Sequence, residues 1–447
     1  MKKFCAELLR LRGSRGKCEW YRGGWAVPPA ETGAELSQRD NFHQVELVAL
    51  RRVAPRSAAQ RKCRLHDGPT ILCHQRFVLF LLVSTLLMGR PIDMSAQTTL
   101  KDAYHGYFLI GTALNQAQFE EKDAGATALI TAQFNSISPE NVLKWESVHP
   151  RPTGFDFKAA DEYVAFGEKR KMFVIGHNLI WHNQTPQWVF QDADGKPSSR
   201  DALLARMREH IATVVGRYKG RIGGWDVVNE ALNEDGTLRQ SPWLKGIGDD
   251  YLAKAFQFAN EADPAAELYY NDYSLENPAK RRGAVALIKK LQAQGVPVTG
   301  IGLQEHDRMD WPAPAEVDAT IKEFAGLGLK VMITELDVSV LPSATQSAGA
   351  EVTQHAELQA RLNPYTNGLP DSVQQKLAQR YADLFSVFLK NRASITRVTF
   401  WGVSDHDSWL NYWPVRGRTD YQLLFDRDNK PKAAFGAVIS TAGAPNR

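Results

Sequence analysis

Residues 224–230 read Gly-Trp-Asp-Val-Val-Asn-Glu, a mainly apolar run that ends abruptly in an amide and a carboxylate. Its aromatic and β-branched residues predict a strand over Gly224–Val228. Runs that are apolar on both faces are typical of parallel strands covered by helices on either side. Seven further runs of this kind follow the same pattern along the chain: Phe108–Ala113, Ala132–Ile137, Met172–Gly176, Glu267–Asn271, Gly300–Leu303, Val331–Thr334 and Arg397–Trp401.

Amphipathic patterns with a helical period separate these candidate strands. The clearest cover Asp201–Tyr218, Lys280–Gln294 and Asp371–Lys390. Eight strand–helix units in about 350 residues predict an α/β fold, a (β/α)₈ TIM barrel. We therefore expect residues 97–447 to form a single domain, with the long segment 341–370 at the rim of its active face.

The first 96 residues differ from the rest in charge and in cysteine content. They hold 16 Lys and Arg against 8 Asp and Glu, whereas the remaining residues hold 38 against 42. A weakly acidic body argues against a nucleic-acid partner. The four cysteines all precede residue 97, so the body contains neither a disulfide nor a thiolate metal site: Cys5, Cys18, Cys63 and Cys73.

The order of residues in 76–96 resembles that of a secretory signal. Arg76 precedes the apolar run at 77–88, and small residues follow up to Ala96. We predict cleavage near Ala96 and a secreted protein, extracellular or periplasmic. The run has about 12 residues, too few for an ordinary membrane span, so the mature form is expected to have none. Residues 1–75 are interpreted as an unfolded upstream extension, from a mistaken translation start. A disordered basic tail and an uncleaved membrane anchor remain open.

Two carboxylates leave the ends of predicted buried strands. Glu230 follows Asn229 after 224–228, and Glu335 follows the run Val331–Thr334. The carboxyl ends of barrel strands converge on one face, and a pair of carboxylic acids there is the equipment of a glycoside hydrolase. The alternatives are a Glu that caps the next helix and two unrelated, salt-bridged Glu residues.

Polar residues at the ends of other strands fit the same interpretation. In a strand, side chains alternate between the two faces, so Gln304 and His306 can point to the same face. His306 could then hydrogen-bond and orient the Glu335 carboxylate, while Asp337 holds the other ring nitrogen of His306. Amide, charged and tryptophan side chains follow the strands predicted at 132–137, 172–176 and 397–401. The polar groups suit sugar hydroxyls, and the indole rings suit the C–H faces of sugars. Trp413 lies close to Trp409 and extends this group. The sequence has no H-E-x-x-H helix and no compact ligand cluster, so no catalytic metal and no cofactor are expected.

Seven motifs, in order along residues 100–440, resemble those of the family-10 glycoside hydrolases, the β-1,4-xylanases. They are ENVLKWE at 140–146, GHNLIWHNQTPQW at 176–188, WDVVNEA at 225–231, NDYS at 271–274, GLQEH at 302–306, ITELDV at 333–338 and TFWGVSD at 399–405. The resemblance implies endo-hydrolysis of β-1,4-xylosidic linkages in xylan with retention of configuration, by double displacement. The partners implied are xylan and xylo-oligosaccharides, and we expect a monomer.

The resemblance also implies roles for individual residues. Glu335 matches the nucleophile, Glu230 the general acid/base, and Asn229 a neighbour that contacts the sugar. His306 and Asp337 match the pair that steadies the nucleophile. The remaining matches are to substrate-binding residues: Glu140, Asn141, Lys144, His177, Trp181, Gln184, Tyr273, Gln304, Trp401 and Trp409.

Three other functions stay open at the level of sequence. A barrel glucanase or mannanase would share Glu230 and Glu335, although ENVLKWE and GHNLIWH favour xylan. A carbohydrate-binding barrel without activity would be expected to lack one of the two Glu residues. A nucleic-acid-binding protein is indicated only by the basic stretch 1–96.

Overall fold

The computed structural model describes residues 98–342, 361–413 and 416–443. The predicted extension at 1–75, the signal-like segment at 76–96 and the cleavage site near Ala96 lie outside these residues. The strands within them are β1 Leu109–Leu114, β2 Ser136–Pro139, β3 Phe173–Ile180, β4 Gly224–Asn229, β5 Glu267–Asp272, β6 Gly300–Leu303, β7 His306–Arg308, β8 Lys330–Ser339 and β9 Ile395–Phe400.

Eight of these strands form a closed parallel barrel. Neighbouring strands pair in the order β6-β5-β4-β3-β2-β1-β9-β8, and β6 also pairs with β8, which closes the ring. The short β7 prolongs β6 after a break and pairs with the end of β8, where His306 lies opposite Asp337. The predicted (β/α)₈ barrel is confirmed.

Helices connect the strands and cover the outside of the barrel, and the three predicted helices are confirmed to within two residues at each end. Serine side chains cap two of the helices: Ser199 accepts a hydrogen bond from the Ala202 amide, and Ser241 accepts one from the Leu244 amide. The helices are Leu100–Ala103, Gln116–Phe119, Ala124–Gln133, Trp145–Val148, Lys158–Lys169, Arg200–Arg217, Pro242–Ile247, Tyr251–Ala262, Pro278–Ala293, Pro314–Ala325, Asp371–Lys390 and Ala433–Ala442, with 3₁₀ turns at Gln187–Val189, Asp405–Asp407 and Trp409–Asn411.

Three predicted strand boundaries are wrong by four residues or more. The strands expected over Met172–Gly176 and Val331–Thr334 continue to Ile180 and Ser339, so His177 and Glu335 lie within strands and not after them.

The strand expected over Ala132–Ile137 begins at Ser136, because residues up to Gln133 belong to the preceding helix. Asp123 caps that helix by accepting a hydrogen bond from the Ala126 amide. Alanine favours the helix, so Ala132 continues it although the residues that follow are strand-like.

The core has two layers. Ile175, Tyr269 and Met332 fill part of the barrel interior, and Phe173 packs against them. A larger apolar layer lies between the strands and the surrounding helices. Across the described ranges, no helix combines the length and the apolar character needed to cross a membrane.

Candidate active site

Glu230 stands one residue beyond β4 in a left-handed backbone conformation, with φ of 57°. Its amide donates to the Asn271 carbonyl (2.9 Å), which ties this turn to β5. The carboxylate accepts hydrogen bonds from Trp181 Nε1 (2.9 Å) and Gln304 Nε2 (3.1 Å). The next helix begins at Pro242 and is capped by Ser241, so the helix-capping role considered for Glu230 is wrong.

Glu335 lies within β8 and is 5% exposed. Its Oε1 accepts a hydrogen bond from Asn271 Nδ2 (2.8 Å), and its Oε2 lies 3.2 Å from His306 Nε2. The predicted contact between His306 and Glu335 is confirmed. Glu335 therefore has one amide and one imidazole holding its two oxygens in place.

His306 bridges two carboxylates. Its Nδ1 lies 3.2 Å from Asp337 Oδ2, and that oxygen also accepts a hydrogen bond from Trp409 Nε1 (2.8 Å). Since both ring nitrogens face carboxylate oxygens, both are placed to donate, which is possible only for the imidazolium. The geometry therefore favours a negative–positive–negative row across Glu335, His306 and Asp337.

The pKa shifts agree with this row of charges. Burial lowers the pKa of His306, but the charge and hydrogen bond of Asp337 and the hydrogen bond to Glu335 outweigh it and raise the pKa to about 10. Burial raises the pKa of Glu335, yet the His306 hydrogen bond and the charge of His177 outweigh burial and leave it below its ordinary value. Glu335 is thus held ionised, as a nucleophile requires.

Two asparagines link the carboxylates. Asn229 Nδ2 donates to Glu230 Oε1 (3.2 Å), and Asn229 Oδ1 accepts from Asn271 Nδ2 (2.9 Å), which also donates to Glu335. Gln304 Nε2 lies 3.3 Å from the same Asn229 oxygen. Glu230 and Glu335 are therefore connected by one hydrogen-bonded network. Asn271 was quoted within a motif but given no role; its position at the end of a predicted strand was the available signal.

Lys144 organises the polar side of the cleft. It is 7% exposed, and its Nζ donates to Asn141 Oδ1 (3.0 Å) and Gln184 Oε1 (2.7 Å). The ammonium also lies 4.9 Å from the ring centroid of Trp181. Burial lowers the pKa of Lys144, while the charges of Glu335 and Glu140 act in the opposite direction. The predicted residues Asn141, Lys144, Trp181 and Gln184 are thus neighbours.

Glu140 and His177 complete this side. Burial raises the pKa of Glu140 to about 7, against the opposing charge of Lys144. His177 Nδ1 lies 2.9 Å from Asp226 Oδ2, which fixes the imidazole, and its ring meets Trp401 edge-on at 5.4 Å. Trp401 also lies 6.3 Å from the His306 ring, and Trp409 lies 4.9 Å from it. Both predicted tryptophans, Trp401 and Trp409, therefore lie next to the charged row of Glu335, His306 and Asp337.

Tyr273 lies on the other side of Glu230. Its hydroxyl accepts a hydrogen bond from Arg239 Nη2 (2.9 Å), and the same arginine donates Nε to the Glu230 carbonyl (3.2 Å). Lys280 Nζ sits 3.4 Å from the Tyr273 ring centroid. One face of the ring is therefore occupied, and only the opposite face is left for stacking on a sugar.

A cluster of three buried carboxyl groups was not predicted. Glu276, Glu305 and Asp307 are 2–3% exposed. The Glu305 side chain interacts with both of the others, and neither of its oxygens accepts a hydrogen bond from an N–H or hydroxyl group among the described residues. Such carboxyls must share protons. Burial and mutual repulsion raise the pKa of Glu305 well above its ordinary value; burial also raises that of Asp307, although Arg380 opposes it.

This cluster predicts a loss of stability at high pH. The folded state keeps protons that the unfolded chain releases above about pH 4.3, so stability is full below that pH and falls as pH rises through the raised pKa values. Glu305→Gln removes the charge and adds an amide donor. We expect it to raise the free energy of unfolding at pH 9 by about 1–3 kcal/mol, and by less at pH 5.

Denaturant unfolding at the two pH values measures this difference. Glu209→Gln, at an exposed helical position, is the matched control and should change neither value. An equal effect of Glu305→Gln at both pH values would contradict the prediction.

Among the described residues, no group of three His, Cys, Asp or Glu side chains is arranged to hold a metal ion.

Comparisons with known proteins agree with the fold and the motifs. The sequence model of Glycosyl hydrolase family 10 matches residues 99–441. An endo-1,4-β-xylanase A of Xylanibacter ruminicola is 46% identical over 355 residues, covering 79% of this chain and 96% of its own length. A β-1,4-xylanase of Dictyoglomus thermophilum is 41% identical over 376 residues, covering 82% and 99%.

A solved structure gives the same result. The structure of a family-10 endoxylanase retrieved from a sugarcane soil metagenome superimposes with a TM-score of 0.73 at 46% sequence identity, over 77% of this chain and 100% of that one. A family model that spans the whole barrel, together with relatives of this identity and coverage, establishes membership. The chain belongs to glycosyl hydrolase family 10.

Proposed function

We propose that this protein is an endo-1,4-β-xylanase that retains the anomeric configuration, with Glu335 as nucleophile and Glu230 as general acid/base. The observation that carries the proposal is the network joining Glu230 and Glu335 through Asn229 and Asn271. The xylanase names of the relatives support the choice of substrate.

In the first step, Glu335 attacks the anomeric carbon while Glu230 donates its proton to the leaving oxygen. His306 and Asn271 keep the attacking carboxylate ionised and oriented. A covalent glycosyl-enzyme results, and the aglycone departs.

In the second step, Glu230 takes a proton from water, which attacks the same carbon from the face opposite to Glu335 and releases the sugar. Two inversions at one carbon give net retention. Trp181, Gln304 and Asn229 aim the Glu230 carboxylate in both steps.

Product analysis on several polymers tests the proposal. Glucuronoxylan, arabinoxylan, carboxymethylcellulose and mannan are incubated in parallel, and NMR follows the anomer first released from a xylo-oligosaccharide. We expect reducing ends from the two xylans and an initial β-anomer. Release from carboxymethylcellulose alone would overturn the substrate, and an initial α-anomer would overturn the mechanism.

Gly302→Ala is expected to lower kcat/KM on xylan by about 100-fold, the effect of displacing a positioning group by about 1 Å. A Cβ at residue 302 would lie 2.1 Å from Asn271 Oδ1 and 2.8 Å from Thr334 Cγ2. Asn271 would then have to leave its place between Asn229 and Glu335. Initial rates on xylohexaose measure the effect.

Gly216→Ala is the matched control for this change. A Cβ at residue 216 would meet nothing within 4 Å, so activity should be that of the wild type. Wild-type activity in Gly302→Ala would show that the position of Asn271 does not matter for catalysis.

We also propose that the protein is exported and cleaved near Ala96. The apolar run at 77–88 and the small residues after it support this. N-terminal sequencing of the protein recovered from the periplasm or medium should begin close to Gln97. Recovery of a mature protein that still carries residues 1–75 would contradict the cleavage.

A further inference from the structure

The peptide group that follows Glu230 is held at both of its polar atoms. Its carbonyl oxygen, which belongs to Glu230, accepts a hydrogen bond from Arg239 Nε (3.2 Å). Its amide nitrogen, which belongs to Ala231, donates to the Tyr270 hydroxyl (3.2 Å). On the other side, the Glu230 amide donates to the Asn271 carbonyl (2.9 Å). Both peptide groups that flank the Glu230 side chain are therefore tied to other parts of the barrel face.

These contacts matter because the backbone of Glu230 is left-handed. Its φ of 57° lies in a region that residues other than glycine rarely occupy. Such a conformation costs free energy and persists only where the surrounding structure enforces it. The carboxyl group keeps its place beside Trp181 and Gln304 only while the backbone keeps this conformation. The position of the carboxyl group therefore depends on the contacts of the two peptide groups.

Arg239 reaches the turn from the end of a short hairpin over residues 231–239. The Arg239 amide donates to the Ala231 carbonyl (2.8 Å), and Leu232 and Leu238 form an antiparallel bridge within the hairpin. Arg239 Nη2 donates to the Leu232 carbonyl (3.2 Å) and to the Tyr273 hydroxyl (2.9 Å). Since the guanidinium is a rigid plane, these two contacts fix the direction in which its Nε donates, which is toward Glu230.

Tyr270 reaches the turn from within β5 and is fully buried. Its hydroxyl donates to Asp272 Oδ2, so the hydroxyl oxygen is left to accept a hydrogen bond from the Ala231 amide. Asp272 Oδ1 lies 3.1 Å from Lys280 Nζ, and both of these side chains are fully buried. A buried ion pair therefore holds the carboxylate toward which the Tyr270 hydroxyl points.

We propose that Arg239 and Tyr270 are positioning residues for the general acid: by holding the peptide group after Glu230, they keep its carboxyl group in reach of the leaving oxygen. This inference rests on the proposed role of Glu230. A displacement of a catalytic group by about 1 Å can lower a rate by about 100-fold. A misplaced acid slows a reaction only where the leaving oxygen needs its proton, so the loss should depend on the leaving group.

The test measures this dependence in the first displacement. The substrates are aryl xylobiosides with phenols of similar size and graded acidity, and kcat/KM is measured for each. Arg239→Met keeps the length of the side chain and removes its donors. We expect kcat/KM to fall about 100-fold for the least acidic phenol and about twofold or less for the most acidic one. The plot of log kcat/KM against the acidity of the phenol should therefore become steeper.

The slope of this plot separates positioning of the acid from other effects of the substitution. Arg239→Met also removes the contact with the Tyr273 hydroxyl. A weaker contact with the aglycone through Tyr273 would lower the rates of all these substrates alike, because the phenols have similar size. A partial loss of folded enzyme would do the same. Neither effect changes the slope, and circular dichroism verifies the fold of each variant.

Tyr270→Phe is the second variant, and it leaves the charges of the protein unchanged. It keeps the ring and removes the acceptor of the Ala231 amide. We expect kcat/KM for the least acidic phenol to fall about tenfold, the scale of one hydrogen bond, and the plot again to become steeper. A steeper plot in Tyr270→Phe would show that the position of the peptide group matters apart from the positive charge of Arg239.

Arg206→Met and Tyr104→Phe are the matched controls. Arg206 is half-buried and donates to the Val189 carbonyl (2.8 Å). Tyr104 is fully buried and donates to the Val438 carbonyl (2.7 Å). They match the two test residues in type, in exposure and in binding a backbone group. Both control variants should lower the stability of the fold and leave the slope of the plot unchanged.

Glu230→Ala is the reference in the same experiment, because loss of the acid itself should steepen the plot most. If Glu230→Ala steepens the plot and a folded test variant keeps the wild-type slope, that residue does not position the acid, and the proposed function stands. If Glu230→Ala itself keeps the wild-type slope, the proposed function fails. If one of the two test variants does not fold, the other decides.

Discussion

Glu335→Ala is expected to lower kcat on xylan by about 10⁴-fold or more, the scale of losing a catalytic nucleophile. In the proposed mechanism, the change removes the carboxylate that attacks the sugar, and it leaves His306 with Asp337 as its remaining carboxylate partner. Activity on xylohexaose, with circular dichroism and thermal unfolding to verify the fold, measures the effect. Glu335→Gln is the companion variant, because it keeps the volume and a hydrogen-bond acceptor but not the charge.

A small anion separates the loss of a nucleophile from a loss of folding. In Glu335→Ala, azide can occupy the vacated space and attack an aryl xylobioside directly. One displacement gives an α-glycosyl azide, with inversion. Wild-type-like turnover by Glu335→Ala, or a β-glycosyl azide as its product, would contradict the assignment of Glu335.

Glu230→Ala is expected to lower kcat on xylan by about 10²- to 10⁴-fold, the contribution of a general acid/base. An aryl xylobioside with an acidic phenol needs little protonation, so its first step should be spared. The second step still lacks its base, and the glycosyl-enzyme should accumulate. We therefore expect a rapid burst of phenol release, followed by a slow steady-state rate.

Azide also identifies this role. It should accelerate the second step in Glu230→Ala and yield a β-glycosyl azide, since Glu335 still performs the first displacement. Glu234→Ala is a useful comparison, because Glu234 is a nearby but half-exposed carboxylate that pairs with Lys280. Equal losses on xylan and on the aryl substrate would show that Glu230 does not act as the acid.

Much of the fold follows from residue pattern alone. Strand β6 was predicted with its observed bounds, and Asp371–Lys390 likewise, because each is a short apolar or clearly amphipathic run. The start of β2 was not predicted correctly. Ala132 and Gln133 suit a helix, and the helix that Asp123 caps extends to Gln133. Local propensity and long-range pairing compete at such boundaries.

The candidate site, like the fold, could be predicted from the sequence only in part. Glu230, Glu335, His306 and Asp337 could be grouped because each lies just beyond the end of a predicted strand, and strand ends converge in a barrel. The bridging role of Asn271 was missed, since it depends on which side chain stands beside it and on the absence of a Cβ at Gly302.

The proton-sharing group was missed for a related reason. Glu276 is distant from Glu305 in sequence, and Glu305 has a left-handed φ of 54° that sequence alternation does not anticipate. Pairings of this kind belong to the assembled barrel and leave no local pattern.

The closure of the barrel has a consequence for how the chain folds. Strand β1 pairs with β2 on one side and with β9 on the other, so residues 109–112 meet residues 397–400. Contacts so remote in sequence make folding slow, because a large loop must close before they form. A nascent chain that stops short of β9 exposes the edges of β1 and β8, and unpaired edges invite association with other chains. Ribosomal stalling or C-terminal truncation before residue 395 should therefore yield aggregates rather than a smaller working enzyme.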